Sequence, residues 1–525
     1  MDIDKMKSLV SAGKMGRRDF IQLSVAAGLT VAAGNSLFSA TARATPKKGG
    51  HLKSAVGHGS TTDSLDPGTW ENSHVGDLGY IPYDYLVEID TKNSPAPGLA
   101  ESWEASAEVD RWVFKLRKGV EFHDGKSLDA EDVVASINHH RGADTKSAAK
   151  SILEIIQDVK ANGKDEVIFE LSSGSADFPF VVSDYHLPIM PAKDGKLDWA
   201  SGNGTGPFKL ERFDPGVTIE AKRNENYYGT AYFDEISMLS VSDVVARQNA
   251  LGSGDVDYID RPDLKTVSLL KRNPGLEIDQ VTGFGHYVAP MNTTMAPFDN
   301  KDVRLALKYA INREELVKKI LLGFGSAGND NPISKSIKYA IDPEPRHAYD
   351  PHKSKFHLKK AGLDSLKVDL SASEAAFSGS LDAAVLMSES AKACNIDINV
   401  IREASDGYWS NVWMKKPWCM SFWSGRPTTD WMFTTAYAAE AKWNDTFWKN
   451  PRFNELLVTA RAELNEAKRG EMYAEMQNIL HDDGGIMVLM FNDFVTAHSK
   501  KLAHGDLNSN YDHDGGYMYR RWWFA

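Results

Sequence analysis

The sequence predicts an α/β protein of two or three domains, and three observations carry that prediction. Its 525 residues exceed what one ordinary core organises, and 42% of them are hydrophobic, enough for sizeable cores. A helical spacing over 383–393 runs into the strand-like Ile396-Asp397-Ile398-Asn399-Val400-Ile401, and a helix between strands implies α/β packing. Earlier, Trp112-Val113-Phe114-Lys115-Leu116-Arg117 alternates apolar with polar as a half-exposed strand does. A helix follows it, with Asp129 as cap, Asp132 three residues on, and Val133, Val134 and Ile137 on one face.

Taken in order, the chain opens with Gly16-Arg17-Arg18-Asp19-Phe20-Ile21-Gln22-Leu23, a twin-arginine pattern. A weakly apolar run over 25–40 follows, then Ala42-Arg43-Ala44, an A-x-A-like cleavage site. The expectation is a twin-arginine export signal over 1–44, cleaved after Ala44. A membrane anchor needs about 20 strongly apolar residues. Here Gly28, Thr30, Gly34 and Asn35 dilute a shorter run. No cysteine follows that run, so no lipid anchor is expected in place of the signal. The first 44 residues carry six basic and three acidic side chains; removing them from the totals of 60 and 72 leaves 54 and 69, a net charge of −15 on the other 481 residues. So acidic a protein argues against nucleic acid and anionic lipid as partners. Cys394 and Cys419 lack metal-site spacing and fall in separate predicted elements, which leaves a disulfide open but not indicated.

Beyond the signal, a short strand is expected over 49–56, ahead of the turn formers at 60–68. Gly204-Thr205-Gly206-Pro207 turns into the strand Phe208-Lys209-Leu210. Asp299 begins a capped helix with Val303, Leu307, Ala310 and Ile311 on its apolar face. Phe453, Leu456, Leu457 and Ala460 mark one late helix and Met472, Tyr473, Met476, Ile479 and Leu480 another, before a strand over 486–490. The most informative stretch is 417–437. There a bulky run to Trp423 reads as a buried strand and breaks at Ser424-Gly425-Arg426-Pro427, delivering Trp423, Arg426, Asp430 and Trp431 into a loop. These residue types recognise ligands and do not catalyse; the plainer alternative is a surface turn with a solvated arginine.

The chain carries no nucleophile elbow, H-E-x-x-H, P-loop or cysteine in a histidine context. Gly323-Phe324-Gly325-Ser326-Ala327-Gly328 fits G-x-G-x-x-G, yet it follows a predicted helix and opens none, so it is read as a chance match. His139-His140, and His352 with His357, lack a matching carboxylate or cysteine on one face and read as solvated. Asp512-His513-Asp514 crowds donors into a turn and is the best residual metal candidate, although a loop near the chain end explains it as well. Neither a metal nor a cofactor is expected.

A set of segments adds a family-level likeness. Leu65-Asp66-Pro67, the stretches 97–103 and 116–125, G-T-G-P-F-K-L at 204–210, F-D-P-G at 213–216, R-N-E-N-Y-Y-G at 223–229, 292–299 leading into 303–314, and Tyr349-Asp350-Pro351 occur in order. Together they resemble the family 5 extracellular solute-binding proteins, the dipeptide, oligopeptide and nickel binders of ABC importers. The resemblance implies a two-lobed periplasmic-binding-protein fold, α/β, of the large cluster C type with an extra subdomain. Lobe I is expected over 45–285 with a return at 491–525, and lobe II over 286–490. It further implies a periplasmic monomer that captures a small polar solute, such as a peptide, an opine or a related carboxylate-bearing compound, and hands it to a permease in the inner membrane. No covalent chemistry is expected; an exported hydrolase and a haem or metal carrier are the alternatives.

The resemblance also implies where ligand sits: between the lobes, with the loop after the strand ending at Trp423 forming one wall. Peptide binders carry a pattern like W-G-A-D-Y-P-D-P there, and its aspartate meets the ligand's ammonium. In this chain Arg426 takes that position and the next acid is Asp430. A guanidinium pairs bidentately with a carboxylate or phosphate and repels an ammonium, so the ligand is expected to present an anion. The open alternative is a loop slip that lets Asp430 take an ammonium while Arg426 pairs with protein. His58, His286 and Tyr287 resemble positions that face the cleft in relatives.

Overall fold

A nine-stranded sheet runs through the molecule, and two of its strands are long enough to belong to both ends. The computed structural model describes residues 15–27 and 45–525 except 58, 71 and 405–407, together with 3, 5, 6 and 9. His58 and the expected cleavage site at 42–44 lie outside the described residues. The sheet comprises β1 (His51–Val56), β2 (Phe208–Asp214), β3 (Thr218–Arg223), β4 (Glu235–Ser240), β5 (Tyr258–Asp260), β6 (Leu276–Val288), β7 (Gly325–Ala327), β8 (Ser421–Trp423) and β9 (Val488–Ser499). Its order is β2-β3-β4-β1-β5-β9-β6-β8, with β7 also paired to β9.

The antiparallel pair β6 and β9 extends from Leu276 opposite Ser499 to Val288 opposite Val488. At about 3.4 Å per residue a 13-residue strand covers roughly 40 Å, more than one core is thick. Accordingly, its Leu276 end packs with Ala55, Leu251, Ile259 and Ala497, whereas its Val288 end packs with Met432, Phe433, Phe453 and Leu480. Between Thr282 and His286 the register shifts, with three β6 residues set against one of β9. Such a bulge bends the strand and re-aims its side chains.

On the Leu276 side, β1 to β4 enclose Leu52, Val56, Phe208, Phe233 and Met238 together with Met518, Tyr519 and Trp522 from the chain end. A second layer there is an antiparallel sheet of Ala100–Ala105, Arg111–Leu116, Glu166–Leu171 and Ile156–Ala161 in that order, covered by α1 (Ala130–His139) around Phe114, Phe169 and Phe178. On the Val288 side, α2 (Lys301–Ala310) and α3 (Ser380–Lys392) pack with the parallel pair Leu366–Ala372 and Ile396–Arg402. Three more helices, α4 (Thr429–Ala436), α5 (Pro451–Ala462) and α6 (Glu466–Asp483), build a separate core.

Local signals place most of these elements. Asp129 and Asp132 form a reciprocal capping box on α1. At α2 the cap is Asn300, one residue after the expected Asp299, because Asn300 Oδ1 accepts from the Asp302 amide. The strand expected over 417–423 is shorter: only Ser421–Trp423 joins the ladder, while Trp418 and Cys419 make isolated bridges. The strand expected over 486–490 is longer, since β9 continues to Ser499 through half-buried 492–494 and buried 495–498. The G-x-G-x-x-G segment contributes β7, where a Cβ on Gly325 would stand 2.3 Å from the Phe491 carbonyl oxygen, so its glycine serves sheet packing. Both cysteines are buried and free. The expected boundaries at 285/286 and 490/491 fall inside β6 and β9, which are continuous.

Of the paired histidines His352 is exposed as expected, and the other three are not. His139 Nε2 lies 2.7 Å from an Asp66 carboxylate oxygen, and His357 Nδ1 lies 2.8 Å from Asp302. His140 is buried, which pushes its pKa down to about 3. For His139 and His357 a partner distant in sequence decides the environment. Among the described residues no helix is long and apolar enough to cross a membrane.

Candidate functional site

A cavity of about 710 Å³ lies where the two ends of the molecule face each other. One wall begins at β8, whose Trp423 pairs with His286 of β6. The chain then turns at Gly425, with φ +81°; a Cβ there would stand 2.4 Å from the Phe284 side chain and carbonyl oxygen. Only glycine combines that left-handed backbone with such close approach. Arg426 follows, its guanidinium 6.0 Å from the Trp423 ring and its Nη1 donating to Ser424 Oγ and the Gly425 carbonyl oxygen. Thr428 caps α4 by accepting from the Trp431 amide, which presents Trp431 to the cavity.

The wall is strongly aromatic. Trp423, Trp431, Trp443, Phe422, Phe284 and Tyr287 line it, and Tyr287 stacks on Phe377 with ring centroids 4.0 Å apart. Phe284 and Gly285 come from the β6 bulge. Across the cavity stand Asn72, Tyr80, Asp184, Tyr185, Arg261 and Tyr511.

Three carboxylates on the opposite wall are already engaged. Asp184 lies 2.7 Å from His186 Nδ1, Asp512 lies 2.5 Å from Arg261 Nη2, and Asp77 lies 2.8 Å from His513 Nδ1. Burial alone would strip the proton from His513, but the carboxylates of Asp77, Asp260 and Asp512 overcome it and push its pKa up to about 9. Arg426 differs. Among the described residues no carboxylate lies within 4.0 Å of it, and only Nη1 has a protein acceptor. Burial lowers its pKa while Tyr511 and Asp184 act the other way; a guanidinium keeps its charge regardless.

Arg426, Trp423, Trp431 and Tyr287 therefore meet in one cavity. Two other expected residues do not join them. Asp430 is turned away from the cavity and held by Arg461 Nε at 3.2 Å, because its place in the first turn of α4 faces α5. Burial, against the pull of Arg461, pushes its pKa up to about 6. His286 is wholly buried, with Nδ1 donating to the Phe284 carbonyl oxygen and its ring 5.4 Å from Phe491. Burial lowers its pKa to about 4, so it is a neutral packing residue. The donors of the Asp512-His513-Asp514 turn diverge to Arg261, Asp77 and the Asn508 amide, and so do not share one ion.

Sequence reasoning passed over Arg261, Asp184 and Tyr511. One signal was legible: Asp260-Arg261-Pro262 repeats the strand, charge and proline order of the Trp423 to Pro427 loop, and Arg261 has a left-handed φ of 39°. Left-handed non-glycine residues gather at functional sites.

The match with known proteins agrees with this geometry. Residues 94–445 match the family described as Bacterial extracellular solute-binding proteins, family 5 Middle. The dipeptide-binding protein of Escherichia coli strain K12 is 27% identical over 475 residues, covering 81% of this chain and 87% of that protein. The glutathione-binding protein GsiB of Pectobacterium atrosepticum is 26% identical over 467 residues, covering 85% and 90%. Among solved structures, the periplasmic murein tripeptide binding protein MppA in its unliganded open form superposes with a TM-score of 0.80 at 18% identity, covering 91% of this chain and 98% of that one. Fold and cleft thus define a two-lobed solute-binding protein. This chain belongs to the family 5 bacterial extracellular solute-binding proteins.

Proposed function

We propose that this protein captures a small solute bearing a carboxylate or phosphate and an apolar or aromatic body, and delivers it to an ABC permease. The observation that carries the reading is the state of the charges in the cavity: every lining carboxylate has a cationic or imidazole partner, whereas among the described residues Arg426 has no carboxylate partner. A ligand anion is then the natural partner of Arg426, with Trp423, Trp431 and Tyr287 as its apolar surroundings. The glutathione-binding relatives supply a precedent in peptide chemistry with an excess of carboxylates. The solute is bound and released unchanged.

The test is mass spectrometry of whatever co-purifies with the exported protein, followed by calorimetry with the acid and with its amide. Tight binding of the acid and loss with the amide are expected; equal affinity for both would overturn the reading, and product formation would favour a hydrolase. We further propose that Arg17 and Arg18 route the protein to the periplasm. The pair heads a helix, Arg17–Ala26. Replacing both by lysine should leave uncleaved precursor in the cytoplasm; normal processing would refute the route.

A further inference from the structure

We infer that Asp279, His498 and His504 form a site for a zinc-like divalent transition-metal ion, near the Leu276 end of the long strands and apart from the ligand cavity. Asp279 on β6 pairs with Thr496 on β9, which makes His498 its diagonal neighbour on the same face of the sheet. His504 lies just beyond the short strand Leu502–Ala503 and stacks on Trp522, with ring centroids 4.4 Å apart. Asp279 Oδ2, His498 Nε2 and His504 Nε2 all fall within 4.8 Å of one another. The carboxylate oxygen is 3.0 Å from the first ring nitrogen and 3.2 Å from the second.

The outer atoms of the rings fix what the inner ones present. His498 Nδ1 lies 2.9 Å from the Ser499 carbonyl oxygen, and His504 Nδ1 lies 2.7 Å from that of Gly505. A carbonyl oxygen only accepts, so both Nδ1 atoms carry the hydrogen, and it is Nε2 of each ring that faces the carboxylate and can offer a lone pair inward. With no proton on either Nε2, two lone pairs face a carboxylate that also only accepts, and a metal cation takes the place those protons would fill. A backbone carbonyl behind the distal ring nitrogen is the usual support of a metal-bound histidine. Consistent with this, His498 is wholly buried, and among the described residues neither its Nε2 nor Asp279 Oδ2 makes a hydrogen bond of regular geometry.

Distances and chemistry select the ion. Bonds of about 2.0–2.1 Å in a tetrahedral zinc site place neighbouring donor atoms about 3.3 Å apart, close to the 3.0 and 3.2 Å observed. Two imidazoles and one carboxylate suit zinc and its neighbours, whereas calcium and magnesium want oxygen alone. The side chains of Asp279 and His504 are 15% and 19% exposed, enough for the ion to enter and a water to complete its coordination. Bound there, the ion ties the segment after β9 to both long strands.

The experiment is calorimetric titration of tag-free, chelator-treated protein with zinc chloride at about pH 7.5, with magnesium and calcium as controls. One zinc per chain, a raised melting temperature and no heat from the controls are expected. Asp279→Asn and His504→Gln should each weaken zinc by at least about 10–100-fold while far-ultraviolet circular dichroism is unchanged. Affinity should also fall on acidification, since protons compete for the rings. Cobalt(II) gives a readout that needs no variant: visible bands of a four- or five-coordinate nitrogen and oxygen site. Absence of stoichiometric zinc, absence of those bands, or full affinity in both variants would overturn the assignment. The last result would point to the other cluster, His347, His481 and Asp482.

Discussion

Arg426 faces the cavity and only its Nη1 bonds to protein among the described residues, and Asp430, four residues on, faces Arg461. Their substitutions should therefore separate. Arg426→Ala is expected to weaken ligand binding by about 2–5 kcal/mol, mainly through faster dissociation, with lysine restoring only part. Asp430→Asn should leave affinity unchanged and lower stability by about 1–3 kcal/mol, read by chemical denaturation. The reverse pattern in calorimetry would restore Asp430 as the ligand's partner. His513 carries the sharpest pH dependence. Its pKa is about 9 folded and 6.5 ordinarily, so the folded state holds a proton that the unfolded state has lost between those values. The stabilisation is complete below 6.5 and declines as pH rises toward 9. Asp445, raised to about 7, and Lys308, lowered to about 8, titrate on either side, which leaves pH 7 to 8 as the clearest window. Across it stability should fall with pH by on the order of 1 kcal/mol in the parent. His513→Gln should be less stable throughout and show a shallower profile there, since His504, raised by Asp279 against its burial, adds a slope of the same sign; an undiminished slope would refute the assignment.

At the scale of elements, the binding wall depends on how β8 and the β6 bulge meet. Gly425→Ala forces a left-handed backbone on a residue with a Cβ and drives that carbon into Phe284. The backbone term alone is about 1–2 kcal/mol, and relief of the clash must displace the loop that carries Arg426. Both stability and ligand affinity are expected to drop; unchanged affinity in calorimetry would show that the loop position is not needed. Elements with a local signal were legible in sequence: the capped start of α1, the apolar face of α2, the helix and strand at 380–402. The length of β9 was not. Its residues 495–498 are buried without the alternation that marks a strand, and their partners on β6 lie more than 200 positions away in the chain.

For the whole molecule, β6 and β9 join the two ends on either side of the cavity, which is the connectivity of a hinge. Ligand at about 100 times its Kd should add roughly 2.7 kcal/mol of stability and reduce the radius of gyration in solution scattering. Bound ligand with an unchanged radius would count against closure. Sequence by itself determined the α/β class, the family likeness and the exchange of an aspartate for Arg426, because these rest on short-range patterns and on residue identity. Tertiary structure alone decided that Asp430 belongs to Arg461 and that His286 is sealed in packing. It also decided that Asp279, His498 and His504 meet. The physical reason is the same in each case. Direction of a side chain and the charge beside it are set by which helices pack and which strands pair, and a contact across 31 residues, like one across 200, leaves no local trace.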